Sequence, residues 1–167
     1  MRKIFSKPTS LFILSLFIIT AFSGCLKTED QQNCDFDPCA MKAPASEIQQ
    51  VEAYLAANNL QATQHCSGVF YHIVEEGSGA TPTVCNNVDV TYSGKLTNGD
   101  QFDASTTPVS FSLGYLIRSW QIGIPLIKKG GRIILYVPPS FGYGDRQAGD
   151  IPPNSILIFD VSLLDVH

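Results

Sequence analysis

A β-rich α+β domain is the expectation from this sequence, on three grounds. Ten Phe, six Tyr and one Trp supply bulky apolar side chains of the kind that pack well on a pleated, half-buried surface. Thirteen Gly and ten Pro give the punctuation of short strands and tight turns. Beyond Gly68, Val88, Val90 and Tyr92 alternate with Asp89 and Thr91, the period-two mark of a strand with one buried face. With 167 residues, 44% hydrophobic and 16% charged, the chain suits one globular domain with a short extension, not a disordered or fibrous protein.

The chain opens on a different composition. Arg2, Lys3 and Lys7 give a positive start, and an apolar run from Leu11 to Phe22 follows, which is the shape of an export signal. The run falls short of the roughly 20 apolar residues of a spanning helix, and it ends in Ser23-Gly24 before Cys25. Ser-Gly-Cys resembles a bacterial lipobox, although Phe22 stands where such boxes usually carry Leu. The resemblance implies that residues 1–24 are a lipoprotein signal peptide and that Cys25 is the lipid-bearing first mature residue. It also implies an exported, membrane-anchored protein at the outer membrane, on its periplasmic or surface face. Several acyl chains anchor stably where a single one holds only marginally.

Losing residues 1–24 removes three of eleven Lys and Arg and none of fifteen Asp and Glu, so eight positive charges face fifteen negative ones, a net of −7. That balance argues against nucleic acid, which needs a basic face. The one basic cluster, Lys128, Lys129 and Arg132, flanks Gly130-Gly131 and reads as a solvated turn. Four cysteines follow Cys25, and export permits them to form disulfides. Closeness in sequence favours Cys34 with Cys39 and Cys66 with Cys85 among the three connectivities. A metal centre is not expected, because no C-x-x-C pair occurs and His65, His72 and His167 make no ligand pattern.

Residues 25–45 are polar, acidic and proline-containing, as suits a flexible tether. Residues 46–67 form an N-terminal helical segment. Ser46 with Gln49 makes a capping-box pattern, Ile48, Val51 and Leu55 recur at helical spacing, and Asn58-Asn59 closes a helix over 46–58. Its narrow stripe would pack on the following domain or on a second copy, so a homodimer through this helix is one expectation. Residues 68–167 then carry strands: Val69–Val74, the alternating run at 88–92, an Asn98-Gly99 hairpin turn leading to Gln101-Phe102-Asp103, Ile133–Val137 and Ile156–Leu164. Between them Leu116–Ile124 reads as a helix of one to three turns before Pro125.

The motifs fall in a recognisable order: Val-Thr-Tyr-Ser-Gly at 90–94, Gly-Asp-Gln-Phe-Asp-Ala-Ser at 99–105, and Phe-Ser-Leu-Gly at 111–114. Leu116-Ile117 with Trp120, Gly-Gly-Arg at 130–132, Phe-Gly-Tyr-Gly at 141–144, Ile-Pro-Pro-Asn-Ser at 151–155 and Phe-Asp-Val at 159–161 complete it. Over residues 69–166 this series resembles the FKBP-type peptidyl-prolyl cis/trans isomerases. The resemblance implies an α+β fold in which a twisted antiparallel β-sheet wraps over a short helix, with an apolar pocket between them. It assigns catalytic positions to Tyr92, Phe102, Asp103 and Tyr143. Substrate-binding positions fall to Phe111, Leu116, Ile117, Trp120, Ile151 and Phe159, with Trp120 as the floor. Val109 stands where many members carry an aromatic, and Ser119 where Gly usually precedes the Trp.

Taken singly, each of these aromatics suits a core position as well. Asp103 differs, since an acid beside a buried aromatic needs a partner or a solvent-facing pocket. The resemblance further implies X-Pro-containing polypeptides as substrates, macrolide-type ligands for the same pocket, and no metal or cofactor. No G-x-S-x-G elbow or H-E-x-x-H pair occurs, and Gly77-Ser78-Gly79 reads as a turn. A non-catalytic module that binds Pro-containing segments, or a chaperone, is the alternative function.

Overall fold

The computed structural model describes residues 34–167, so the expected signal peptide, the lipid site at Cys25 and the first part of the tether lie outside the described residues. Helix α1 (Ala45–Ala57) precedes strands β1 (Thr63–Gln64), β2 (Phe70–Glu75), β3 (Asn87–Leu96) and β4 (Gln101–Ser112). Helix α2 (Arg118–Gly123), β5 (Arg132–Val137) and β6 (Leu157–Val166) follow. The strands form one antiparallel sheet in the order β1-β2-β5-β6-β3-β4. Among the described residues no helix is long and apolar enough to cross a membrane.

Strand alternation builds the core. Along β6, Leu157, Phe159, Val161 and Leu163 turn inward while Ile158, Asp160 and Ser162 are partly exposed. Val88 and Val90 of β3 and Ile133, Leu135 and Val137 of β5 are fully buried on the same side, where they meet Trp120, Ile122 and Ile124 from α2 and the turn after it. Strand β4 pairs only with β3. As an edge strand it tolerates Pro108, which has no N–H to give a second neighbour. Between Val90 and Tyr92 its register slips, since Val90 faces Val109 but Tyr92 faces Ser105, so β4 bulges beside the aromatic residues of β3.

Helix α1 starts one residue before the expected position, and the Ser46–Gln49 capping box does not form. The N-cap is Pro44, with no side-chain cap, and its carbonyl accepts the N–H groups of Glu47 and Ile48 at 3.0 and 3.1 Å. Ser46 is thereby inside the first turn, where its hydroxyl has no cap position to fill. Ile48, Val51 and Leu55 are buried in the core of their own chain. Glu47 adds a polar tie, accepting the Ser140 N–H and hydroxyl at 2.9 and 2.7 Å.

The cysteines pair otherwise than expected. The bonds are Cys34–Cys85 and Cys39–Cys66, with Cα atoms 5.7 and 5.5 Å apart, inside the range that a disulfide spans. Sequence proximity misleads here because residues 34–43 run along the body. The Ala43 N–H donates to Ser67 O at 2.8 Å, Ala43 is buried, and the Cys39 N–H donates to Asp37 Oδ1 at 2.8 Å. The resulting turn leaves Cys34 beside Cys85 and brings Cys39 to Cys66. The described part of the expected tether is therefore clamped, not free.

In the basic cluster, Lys129 pairs with Asp165 at 2.7 Å and Arg132 grips Asp160 through two bonds, Nε–Oδ1 at 2.8 Å and Nη2–Oδ2 at 2.6 Å. Two of its three cations are thus balanced within the chain, in keeping with a solvated turn.

Candidate functional site

Between α2 and the sheet lies a cavity of about 210 Å³ lined by Tyr92, Asp103, Phe111, Leu116, Ile117, Trp120, Tyr143 and Phe159. Trp120, 4% exposed, lines it from the centre of α2. The indole stands edge-to-face against three rings: Tyr92 of β3 at 5.3 Å, Phe159 of β6 at 5.5 Å and Phe111 of β4 at 6.0 Å. Such edge-on pairs place the positive ring edge against a negative face and hold each other at fixed angles. Trp120 Nε1 and Ser119 Oγ are buried without a hydrogen-bond partner among the described residues. The site is thus built from apolar surface more than from polar satisfaction.

Leu116 and Ile117 reach the cavity from the turn between β4 and α2. Gln121, one turn into the helix, donates from its side-chain amide to Gly114 O at 3.0 Å and Leu116 O at 2.8 Å, which fixes that turn to the helix it precedes. Tyr143 stands on the loop after a 3-10 turn, Pro139–Phe141. The Gly144 N–H closes back on Pro139 O at 2.8 Å and the Asn154 N–H reaches Gly144 O at 2.8 Å. The rim is therefore held by backbone bonds although Tyr143 itself is 43% exposed.

Polar character is concentrated at one edge. The Tyr92 hydroxyl donates to Asp103 Oδ2 at 2.7 Å, and Asp103 is otherwise exposed. Burial, with the Asp103 hydrogen bond and charge behind it, pushes the Tyr92 phenol up to about 12. Burial also raises Tyr143, and the Asp103 charge adds to the effect. Both phenols therefore stay protonated at neutral pH and act as donors. No Ser, Cys, His or Lys is among the lining residues, and Asp103, Tyr92 and Tyr143 are its ionisable groups.

Two of the residues expected at the site stand behind it. Phe102 is not among the lining residues. Its ring packs edge-on against Phe159 at 5.5 Å, and it lies over Gly94, where a Cβ would come within 2.6 Å of the ring. Gly94 is opposite Asp103 on one side and Phe159 on the other, so its missing side chain lets Phe102 brace the wall. Ile151 is buried at 5% and pairs with Ala148 to close the 145–150 loop. Gln121 and Gly94 did not stand out in the sequence as supports of the site. The only signal for Gln121 is a lone amide in the apolar run from Trp120 to Ile124.

Comparison with known proteins identifies the family and the fold. A family model described as FKBP-type peptidyl-prolyl cis-trans isomerase matches residues 79–164. A probable FKBP-type peptidyl-prolyl cis-trans isomerase of Haemophilus influenzae is 44% identical over 118 residues, 68% of this chain and 48% of that protein. The FKBP-type peptidyl-prolyl cis-trans isomerase FkpA of Escherichia coli is 38% identical over 151 residues, 89% of this chain and 54% of that protein. The chain thus spans about half the length of the curated relatives it matches. Its fold superposes on the crystal structure of FkpA from Escherichia coli with a TM-score of 0.66 at 38% identity, covering 73% of this chain and 60% of that one. On a peptidyl-prolyl cis-trans isomerase from Pseudomonas syringae the TM-score is 0.65 at 28% identity, covering 75% and 98%. With a match over residues 79–164 that takes in every lining residue of the cavity, the chain belongs to the FKBP-type peptidyl-prolyl cis-trans isomerase family.

Proposed function

We propose that this chain accelerates rotation about X-Pro bonds in exported polypeptides, and that the cavity above Trp120 is where it does so. The observation that carries the reading is the pairing of an aromatic-lined cavity with one carboxylate at its edge. Rotation about an X-Pro amide is slow because it must break the resonance that makes the bond planar. As the amide twists, its carbonyl loses charge, so an apolar, water-poor cavity disfavours the planar form more than the twisted one. Binding that favours the transition state over the ground state is what raises the rate.

The proline ring would rest on Trp120 among Tyr92, Ile117 and Phe159, braced by Phe102. The Ile117 N–H and the Tyr143 hydroxyl would hold the flanking carbonyls, and Ile151 would keep the far wall in place. Asp103, oriented by Tyr92, acts as a fixed charge beside the rotating amide. No proton moves, so no metal or cofactor is called for. Macrolide-type ligands would compete for the same cavity. The protein would act from an outer-membrane anchor at Cys25, and a second copy docking on α1 would meet its exposed residues Gln49, Glu52 and Ala56.

Asp103→Ala tests the reading directly. The carboxylate is exposed and removes no core volume, so circular dichroism and the unfolding midpoint should match wild type. Meanwhile kcat/KM on an X-Pro peptide should fall about tenfold, the equivalent of some 1.4 kcal/mol of transition-state stabilisation. A folded wild type that binds Pro-containing chains but leaves their isomerisation rate unchanged would instead establish the non-catalytic module. For the anchor, Cys25→Ser should move the protein from the membrane fraction to the soluble one. Mass spectrometry finding an unmodified mature N-terminus elsewhere would refute the lipid.

A further inference from the structure

A second cavity, of about 240 Å³, adjoins α2 and is slightly larger than the 210 Å³ cavity above Trp120. Its surface is drawn from three stretches of chain: Ile122 and Leu126 in α2 and the turn after it, Pro82 and Val84 ahead of β3, and Phe36 and Pro38 from the N-terminal strip. The disulfides Cys34–Cys85 and Cys39–Cys66 fasten that strip at both ends, and the proline rings fix the backbone at Pro38 and Pro82. These walls are set before anything binds, which lowers the ordering cost of a ligand. Phe36, Val84 and Leu126 are only half-buried, so apolar surface is left to water here.

The cavity is continuous with the site already described. Gln121 lines it, and the same side chain donates to Leu116 O at 2.8 Å, on a residue that lines the first cavity. One side chain therefore reaches from one cavity to the other, a separation that a few residues of extended chain cover at about 3.3 Å each. Arg118, next in sequence to Ile117 of the first cavity, lies over the Phe36 ring of the second, with Cζ 5.7 Å from the ring centroid. That contact holds the guanidinium in place without neutralising it. Among the described residues Arg118 has no ion-pair partner, whereas Lys129, Arg132 and His167 each have one.

We propose that the second cavity is a subsite for the same polypeptide whose X-Pro bond is held above Trp120. An apolar side chain such as Phe or Leu, a few residues from the proline, enters it, and an Asp or Glu between the two pairs with Arg118. The occupied flank is the one whose carbonyl the Ile117 N–H holds, because Arg118 follows that residue directly. This rests on the isomerase reading and names the sequences that the enzyme prefers: an acidic and then an apolar residue on one side of the proline.

The test assays the full chain, disulfides intact, on a short X-Pro peptide and on longer ones that add Glu and then Phe to one flank or the other at several spacings, with Gly-Ser extensions as the reference. On one flank kcat/KM should exceed the reference by about tenfold, through KM with kcat unchanged, since a contact away from the rotating bond is equal in the ground and transition states. Val84→Glu puts a charge on the apolar wall and should erase that preference while the short peptide is turned over as before. Arg118→Glu should invert the charge preference, so that Lys in the extension becomes better than Glu, which a merely structural loss would not do. Titration calorimetry with the same peptides reads the preference without catalysis. If the short peptide is isomerised but neither flank gains, if the gain survives Val84→Glu, or if Arg118→Glu leaves the charge order unchanged, the subsite is overturned and the isomerase reading stands. If no X-Pro peptide is isomerised yet calorimetry shows a preference sensitive to both substitutions, the subsite stands and the isomerase reading alone falls. Self-association of the chain that Val84→Glu abolishes would give the cavity to a second copy and overturn the proposal.

Discussion

Trp120→Ala is expected to abolish measurable isomerisation, with kcat/KM down at least about 100-fold, or some 2.7 kcal/mol of transition-state stabilisation, and to cost about 3–5 kcal/mol of stability. Both effects come from one ring. The indole lines the cavity and is the common edge-on partner of Tyr92, Phe111 and Phe159, so its removal leaves three rings without the surface that sets their angles. Urea unfolding followed by circular dichroism gives the stability, and an X-Pro peptide assay at a temperature where the variant is folded gives the rate. Trp120→Phe separates the two, because it keeps an aromatic ring there and should regain most of the stability while recovering only part of the rate. Full activity in folded Trp120→Ala would mean that isomerisation takes place elsewhere on the molecule.

The candidate site was picked out through the order of short motifs, which resembles that of the FKBP family, and the strand pairing explains how two of those motifs come together. Tyr92 and Asp103 are eleven residues apart with an Asn98-Gly99 turn between them, and a hairpin brings such residues together across two neighbouring strands. Trp120 sits in a short apolar run with Leu116 and Ile117, which line the same cavity from the turn just before its helix. Phe102 and Ile151 show the limit of that reasoning. A motif fixes which face a residue takes, but whether its side chain reaches the cavity or stands behind another ring depends on what its neighbours leave open. For Phe102 the deciding feature is the bare Cα of Gly94 on the adjacent strand.

Where the chain's path depends on tertiary contacts, the sequence carried less. Ser46 and Gln49 have the right spacing for a capping box, yet the helix turns in at Pro44 because the preceding segment is fastened to Ser67 and Cys66. The same fastening decides the disulfides. Cys34 and Cys39 are near neighbours in the chain, but a turn at Asp37 directs them to partners 51 and 27 residues away. Distances along a chain rank loop-closure entropies. They do not say which cysteines the folded surface brings within bonding range.

Gly77→Ala should be among the most destabilising single-methyl changes outside the cavity, by about 3 kcal/mol or more. Gly77 has φ +74, a conformation that costs a residue with a side chain about 1–2 kcal/mol. In addition, an added Cβ would lie 2.4 Å from Lys128 O, 2.6 Å from Gly131 N and 2.7 Å from Lys129 O. These are backbone atoms, and the loop cannot simply swing away from them. The Lys128 N–H donates to Glu76 O at 2.8 Å, the Lys129 N–H to Ala80 O at 2.9 Å, and the Gly79 N–H to Lys129 O at 3.1 Å. Relieving the overlap means prising apart the seam between the end of β2 and the turn before β5, at about 1–3 kcal/mol more. For a folded unit of this size that lowers the melting temperature by roughly 9–18 °C. Gly99→Ala is the control: φ is +92 there too, but nothing lies within 4 Å of the added methyl, so only the backbone cost of about 1–2 kcal/mol applies. Thermal unfolding of the two variants side by side decides the matter. If Gly77→Ala melts no lower than Gly99→Ala, the seam is not close-packed and its glycine answers only to the backbone.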